Sequence, residues 1–137
     1  MTLSRDAVEA WLARYGEAWM QADPDLAATL FSDDCRYYET PYSEPCVGRA
    51  GVRRYWQVVP EHQRDVRFGF RLLAVEGDSA IAHWTASFVR LASGARVRLD
   101  GVFLLEFTDG GLCHTLREWW HRAETPAPGD VGRGTER

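Results

Sequence analysis

Asp33-Asp34-Cys35-Arg36-Tyr37-Tyr38-Glu39-Thr40-Pro41 is the stretch on which the fold turns. The paired acids suit a turn, the next residues alternate as a strand does, and Pro41 closes the run because it has no N–H for a ladder. A period of two sets Cys35, Tyr37 and Glu39 on one face, with Arg36 and Tyr38 on the other. One carboxylate therefore shares a face with a phenol and a thiol at a strand end, just ahead of a loop running to Gly48. Such an acid is either a solvated strand end or a base held in a pocket.

Upstream, Val8, Trp11, Leu12, Tyr15 and Trp19 recur at helical spacing between Ser4 and about Gln21. Ser4 suits the N-cap, and Asp6 suits the positive end of the helix. An amphipathic helix accounts for the position of Tyr15, yet its hydroxyl needs a partner once buried. Asp23-Pro24 reads as a cap followed by proline at the first helical position, opening a short second helix that carries Leu26, Leu30 and Phe31 inward. Downstream of the loop, Val52, Tyr55, Trp56 and Val59 make the apolar stripe of a third helix over 49–59. Arg49, Arg53, Arg54 and Gln57 face out, and Pro60 ends it. The arginines read as a solvated helix face.

The period then changes. Val66, Phe68, Phe70 and Leu72 alternate with Arg67, Gly69 and Arg71 up to the turn Glu76-Gly77-Asp78. From Ala80 to Leu91 a strand sets Ala82, Trp84, Ala86 and Phe88 against Ile81, His83, Thr85 and Ser87, with both faces open as the inner one. After Ser93-Gly94, Val97, Leu99, Phe103, Leu105 and Phe107 form one face of the next strand. Arg96, Arg98, Asp100 and Glu106 lie opposite, mixed with Val102 and Leu104. That mixed face suits a subunit contact, so a homodimer is expected around Val102 and Leu104. Thr108-Asp109-Gly110-Gly111 turns the chain into a last strand over 112–121. The glycines and prolines among the polar residues of 124–137 read as a disordered tail to a domain over 1–123.

The order of elements predicts an α+β fold. Three N-terminal helices pack on a strongly curved mixed or antiparallel sheet, a cone-shaped α+β barrel that encloses a pocket. Six Trp, five Tyr and six Phe in 137 residues supply core area and pocket walls for a flat apolar ligand. The net charge of −4 argues against nucleic acid as a partner. The three cysteines have no paired spacing, and the four histidines lie far from acidic partners at ligand spacing. Neither a disulfide framework nor a metal site is expected, and no other cofactor is indicated. With no signal region and no long apolar run, a soluble cytoplasmic protein with no membrane partner is expected.

From about Ser4 to Trp120 the pattern resembles the nuclear transport factor 2-like superfamily, in its SnoaL-like and ketosteroid isomerase-like branch. The likeness is most specific between Arg14 and Trp56. Arg14-Tyr15, Asp33-Asp34, Glu39, Ser43-Glu44-Pro45 and Gly48 fall in register with the isomerase pattern without a gap. The resemblance implies Tyr15 as donor to a substrate oxyanion and Glu39 as the base. The family base is usually an aspartate directly before proline, whereas here Thr40 intervenes. The family's second donor, a protonated aspartate, falls on Phe103, and Asp100 replaces it only if Gly101 forms a bulge.

The closing Arg117-Glu118-Trp119-Trp120 resembles the Arg-Asp-aromatic ending of limonene epoxide hydrolases, placing Glu118 and Trp120 toward the cavity. Those enzymes also need an arginine and an aspartate on a neighbouring strand, where this chain has His83 and Thr85. His83 is an acid-base candidate by its likeness to scytalone dehydratases. Glu39 and Glu118 facing one cavity are expected to part in pKa, one protonated and one charged.

The reading is therefore an acid-base enzyme acting on an apolar carbonyl compound, of isomerase, cyclase or dehydratase type. Glu39, Tyr15 and Glu118 carry the chemistry. Tyr37, Trp56, Trp84, Phe103, Trp120 and Trp19 bind the small apolar or aromatic molecule. Asp100 and His83 are lesser candidates. The alternatives are a non-catalytic binding or association module of the same fold, and an epoxide hydrolase-like enzyme using Glu118.

Overall fold

The computed structural model describes residues 3–128. Helix α1 (Arg5–Met20) starts where Ser4 Oγ accepts from the Ala7 N–H at 3.1 Å. Helix α2 (Pro24–Thr29) starts in the same way, with Asp23 Oδ1 accepting from the Leu26 N–H at 3.0 Å. Strand β1 (Phe31–Tyr38) and the short β2 (Cys46–Val47) precede helix α3 (Gly48–Val58), which runs into a single 3₁₀ turn over Val59–His62. Four long strands complete the fold: β3 (Gln63–Glu76), β4 (Ser79–Arg90), β5 (Arg96–Phe107) and β6 (Cys113–Thr125).

The sheet order is β2-β1-β6-β5-β4-β3. Strand β1 lies parallel to β6, and every other pairing is antiparallel. The cone stays open, with β2 and β3 as its free edges. Helix α1 packs against β3, and α3 against β1 and α2, so the helices cover one face. Trp11, Tyr15 and Trp19 project from α1 to meet Phe31, Tyr37, Trp56, Trp84 and Phe103, and the layers meet as a continuous aromatic core.

Several expectations change at the level of local structure. Asp33 and Asp34 are not a turn but lie inside β1, where the register with β6 shifts between Phe31 and Arg36. Their carboxylates find partners on the exposed side: Asp33 takes Arg49 Nη1 at 2.6 Å, and Asp34 takes the Ser32 hydroxyl at 3.0 Å. Leu30 caps α2 and Phe31 opens the strand, so both are buried without being helical. Arg49 and Arg53 are not merely solvated. They pin α3 to Asp33 of β1 and to Asp25 of α2. Strand β6 carries on through Glu124 and Thr125, which pair with Val97 and Arg96. Residues 129–137, most of the expected tail, lie outside the described residues.

The face of β4 that sequence left open is decided. Ala80, Ala82, Trp84, Ala86 and Phe88 are buried, and Ile81, His83, Thr85 and Ser87 face away from the helices. Gly101 lies between Trp84 and Trp120 in the register. A Cβ there would stand 2.7 Å from the Trp119 carbonyl oxygen and 2.8 Å from the Trp84 ring. Only glycine lets that indole lie flat against β5.

Candidate functional site

Between the helices and the concave face of the sheet lies a cavity of about 220 Å³. Helix α1 contributes Tyr15 and Trp19, helix α3 contributes Tyr55 and Trp56, and the end of β1 contributes Tyr37 and Glu39. Trp84 and Arg90 come from β4, and Glu118, Trp120 and Arg122 from β6. Strand alternation explains the last three, since residues two apart share a face.

The deep end is a cluster of proton-bearing groups. The Tyr15 and Tyr37 hydroxyls are 2.8 Å apart and share one hydrogen bond, and both residues are buried. One proton of the pair closes that bond and leaves the other hydroxyl's proton available. Glu118 is only 5% exposed. Burial first, then the negative charge of Glu39, pushes its carboxyl well above the usual carboxylate range, while the Tyr37 hydroxyl pulls the other way. A carboxyl that keeps its proton is a donor as well as an acceptor. Burial and the Glu118 charge likewise raise Tyr15 and Tyr37 well above the ordinary phenol value.

Glu39 sits nearer the mouth and is half-buried. Tyr55 Oη donates to its Oε2 at 2.8 Å, and the Trp120 indole N–H donates to its backbone carbonyl at 3.0 Å. One bond orients the carboxylate and the other fixes the strand end that carries it. Tyr55, like Arg90 and Arg122, is a lining residue that sequence reading passed over. It lies within the apolar stripe of α3, and the need of a buried phenol for a partner was the signal.

Of the expected residues, Tyr15, Tyr37, Glu39, Glu118, Trp19, Trp56, Trp84 and Trp120 meet at this cavity. Phe103 does not line it. Fully buried, it stacks behind Trp84 at 5.2 Å and edges onto Tyr15 at 5.3 Å. His83 and Asp100 are excluded by strand parity. They lie on the outer face, where His83 Nε2 and Asp100 Oδ1 pair at 2.9 Å with 40% and 70% of their side chains exposed. No bulge re-aims Asp100, because the register runs unbroken on both sides of Gly101. The position opposite Phe103 on β6 is instead Glu118. The inward carboxyl nearest that position is thus the directly paired residue of the next strand.

A SnoaL-like domain model matches residues 8–115. No curated protein matches the chain. Among solved structures, the epoxide hydrolase/cyclase-like enzyme SalBIII, described for pyran ring formation in the polyether salinomycin, is 19% identical. The match has a TM-score of 0.74 and covers 86% of this chain and 93% of that one. The Delta 5-3-ketosteroid isomerase of Mycobacterium sp. is 18% identical, with a TM-score of 0.73 over 87% of this chain and 98% of that one. RV0760c of Mycobacterium tuberculosis is 12% identical, with a TM-score of 0.77 over 89% and 98%. At these identities the likeness shows the fold, while the domain model spans most of the chain. The protein belongs to the SnoaL-like domain family, within the nuclear transport factor 2-like superfamily.

Proposed function

We propose that this cavity catalyses proton transfer next to a carbonyl group in a small apolar substrate, as an isomerase, cyclase or dehydratase. The observation that carries the reading is one cavity holding two carboxyls in unlike environments. Glu118 lies among the tyrosines with its pKa raised by burial, and Glu39 lies at the mouth on a hydrogen bond from Tyr55. The substrate carbonyl oxygen takes hydrogen bonds from the Tyr15–Tyr37 pair and from protonated Glu118. Glu39 removes the adjacent proton through Oε1, which has no hydrogen bond among the described residues. The charge that develops on oxygen falls on donors already in place, and the proton on Glu39 then returns to another carbon of the enolate.

A positioned base contributes roughly 10²–10⁴-fold. One oxyanion donor contributes on the order of 10²–10³. Turnover of a panel of enones and polyketide-like ketones tests the assignment. Glu39→Gln is expected to lower kcat by that base factor while ligand affinity survives, and Tyr15→Phe is expected to cost less. Undiminished turnover in a folded Glu39→Gln protein would sink the mechanism. Turnover of epoxides that survives Glu39→Gln and is lost in Glu118→Gln would point instead to acid-assisted epoxide opening at Glu118.

The same chain is proposed to work as a homodimer. On the outer face Ile81 and Leu104 pair directly, and Leu73, Val102 and Trp119 extend the apolar patch. Ile81, Leu73 and Trp119 are 40%, 46% and 46% exposed. A two-fold contact places this patch on its own copy. Sedimentation as a clean monomer at micromolar concentration would remove this proposal.

A further inference from the structure

Arg122 lies on the face of β6 that also carries Glu118 and Trp120, and it lines the same cavity. The other arginine in the lining, Arg90, is already engaged. Its Nε and Nη2 donate to both carboxylate oxygens of Glu124 at 3.2 and 3.3 Å, and its guanidinium stands 5.8 Å from the centre of the Phe88 ring. Arg122 has no ion pair or hydrogen bond among the described residues. Glu39, the other charge of the lining, pairs with neither arginine and is held by Tyr55. The cavity mouth thus presents one guanidinium with no partner among the described residues, above walls of indole and phenol.

The volume bounds what fits. About 220 Å³ compares with roughly 150 Å³ for an engineered apolar cavity that holds benzene. One substituted ring or two fused rings fill it.

We propose that the substrate is a compact one- or two-ring molecule bearing a carboxylate, with its ring among the indoles and phenols and its carboxylate on Arg122. A carboxylate matches a single guanidinium as a planar, two-bonded pair. A phosphate, with a charge of about −1.5 to −2, asks for a second free cation, and Glu124 has taken Arg90. Arg122 also offsets the repulsion that Glu39 exerts on an anionic substrate. The proposal rests on the reading of this cavity as the substrate site and names the class that site selects.

Calorimetric titration with cinnamate and its neutral counterpart cinnamamide, at neutral pH and low salt, tests it. Cinnamate is expected to bind about tenfold more tightly, the scale of one charge-assisted hydrogen bond. That preference is expected to vanish in Arg122→Gln, to return in part in Arg122→Lys, and to shrink as salt rises. Equal binding of the two probes to the unmodified protein overturns the proposal. So does a preference that survives Arg122→Gln, or the absence of binding by either probe at millimolar concentration. The catalytic reading fails separately: Glu39→Gln with intact turnover removes the mechanism and leaves the acid-to-amide ratio standing.

Discussion

Two carboxylates on adjacent strands, Glu118 of β6 and Asp100 of β5, meet opposite fates. Glu118 points under the helices and is 5% exposed, with burial raising its pKa well above the usual range. Asp100 points to the other side of the same sheet, with 70% of its side chain exposed and His83 at 2.9 Å as its partner. Residue type alone gives no hint of this contrast, though strand alternation already sets Asp100 opposite the apolar face of β5. What separates the two is strand parity, and the helices that cover one face alone. Inside, a carboxyl loses its water, and burial makes it hold its proton more tightly. Outside, a screened pair is worth roughly 0–1 kcal/mol. Where the resembling family has its second acid this chain has Phe103 on β5, and the paired register sets Glu118 of β6 directly opposite.

Three substitutions break or sharpen that contrast. The largest effect is expected at the spacer between the faces. Gly101→Ala places a methyl group 2.7 Å from the Trp119 carbonyl oxygen and 2.8 Å from the Trp84 ring. The β6 backbone or the Trp84 indole must move, at a cost of about 1–3 kcal/mol. Denaturant unfolding should report the loss, and cinnamate affinity should fall with it. A neutral outcome would mean that Trp84 is free to slide.

Glu118→Gln comes next, and its sign depends on pH. A carboxyl whose folded pKa lies above its unfolded one stabilises fully below the unfolded pKa. That stability is lost as pH rises through the raised folded value. The native protein should therefore lose stability from about pH 4 upward, and Glu118→Gln should flatten the slope and melt higher than the native protein at neutral pH. Parallel pH–stability curves for the two would show that Glu118 is not held protonated.

The smallest effect belongs to the outer pair. Asp100→Asn should shift stability by less than about 1 kcal/mol, with ligand binding and turnover unchanged. A tenfold loss of turnover would return Asp100 to the site and overturn the assignment of faces.

Much of this was legible in the residues themselves. Trp11, Tyr15 and Trp19 at helical spacing, the caps Ser4 and Asp23, and the alternation around Phe68 and Trp84 are local signals, and local structure obeys them. Glu39 stands out as an acid sharing a strand face with a phenol, whereas the roles expected of Tyr15 and Glu39 and the inward placing of Glu118 rest on family resemblance. The β1–β6 parallel pairing was not legible, because Phe31 and Cys113 are joined through tertiary register alone. Tyr55 was hidden by its own spacing, which an ordinary core residue shares.

By itself, then, the chain determined element types, their order and the inner faces of most strands, since these follow from 3.6- and 2-residue periods and from turn chemistry within a few residues. Tertiary structure alone decided that Glu118 stands opposite Phe103, that His83 faces away, and that Arg90 is engaged while Arg122 has no partner among the described residues. Each of those depends on which distant residue arrives alongside, and on how much water is left there. Burial and register arise only once helices and sheet close on one another.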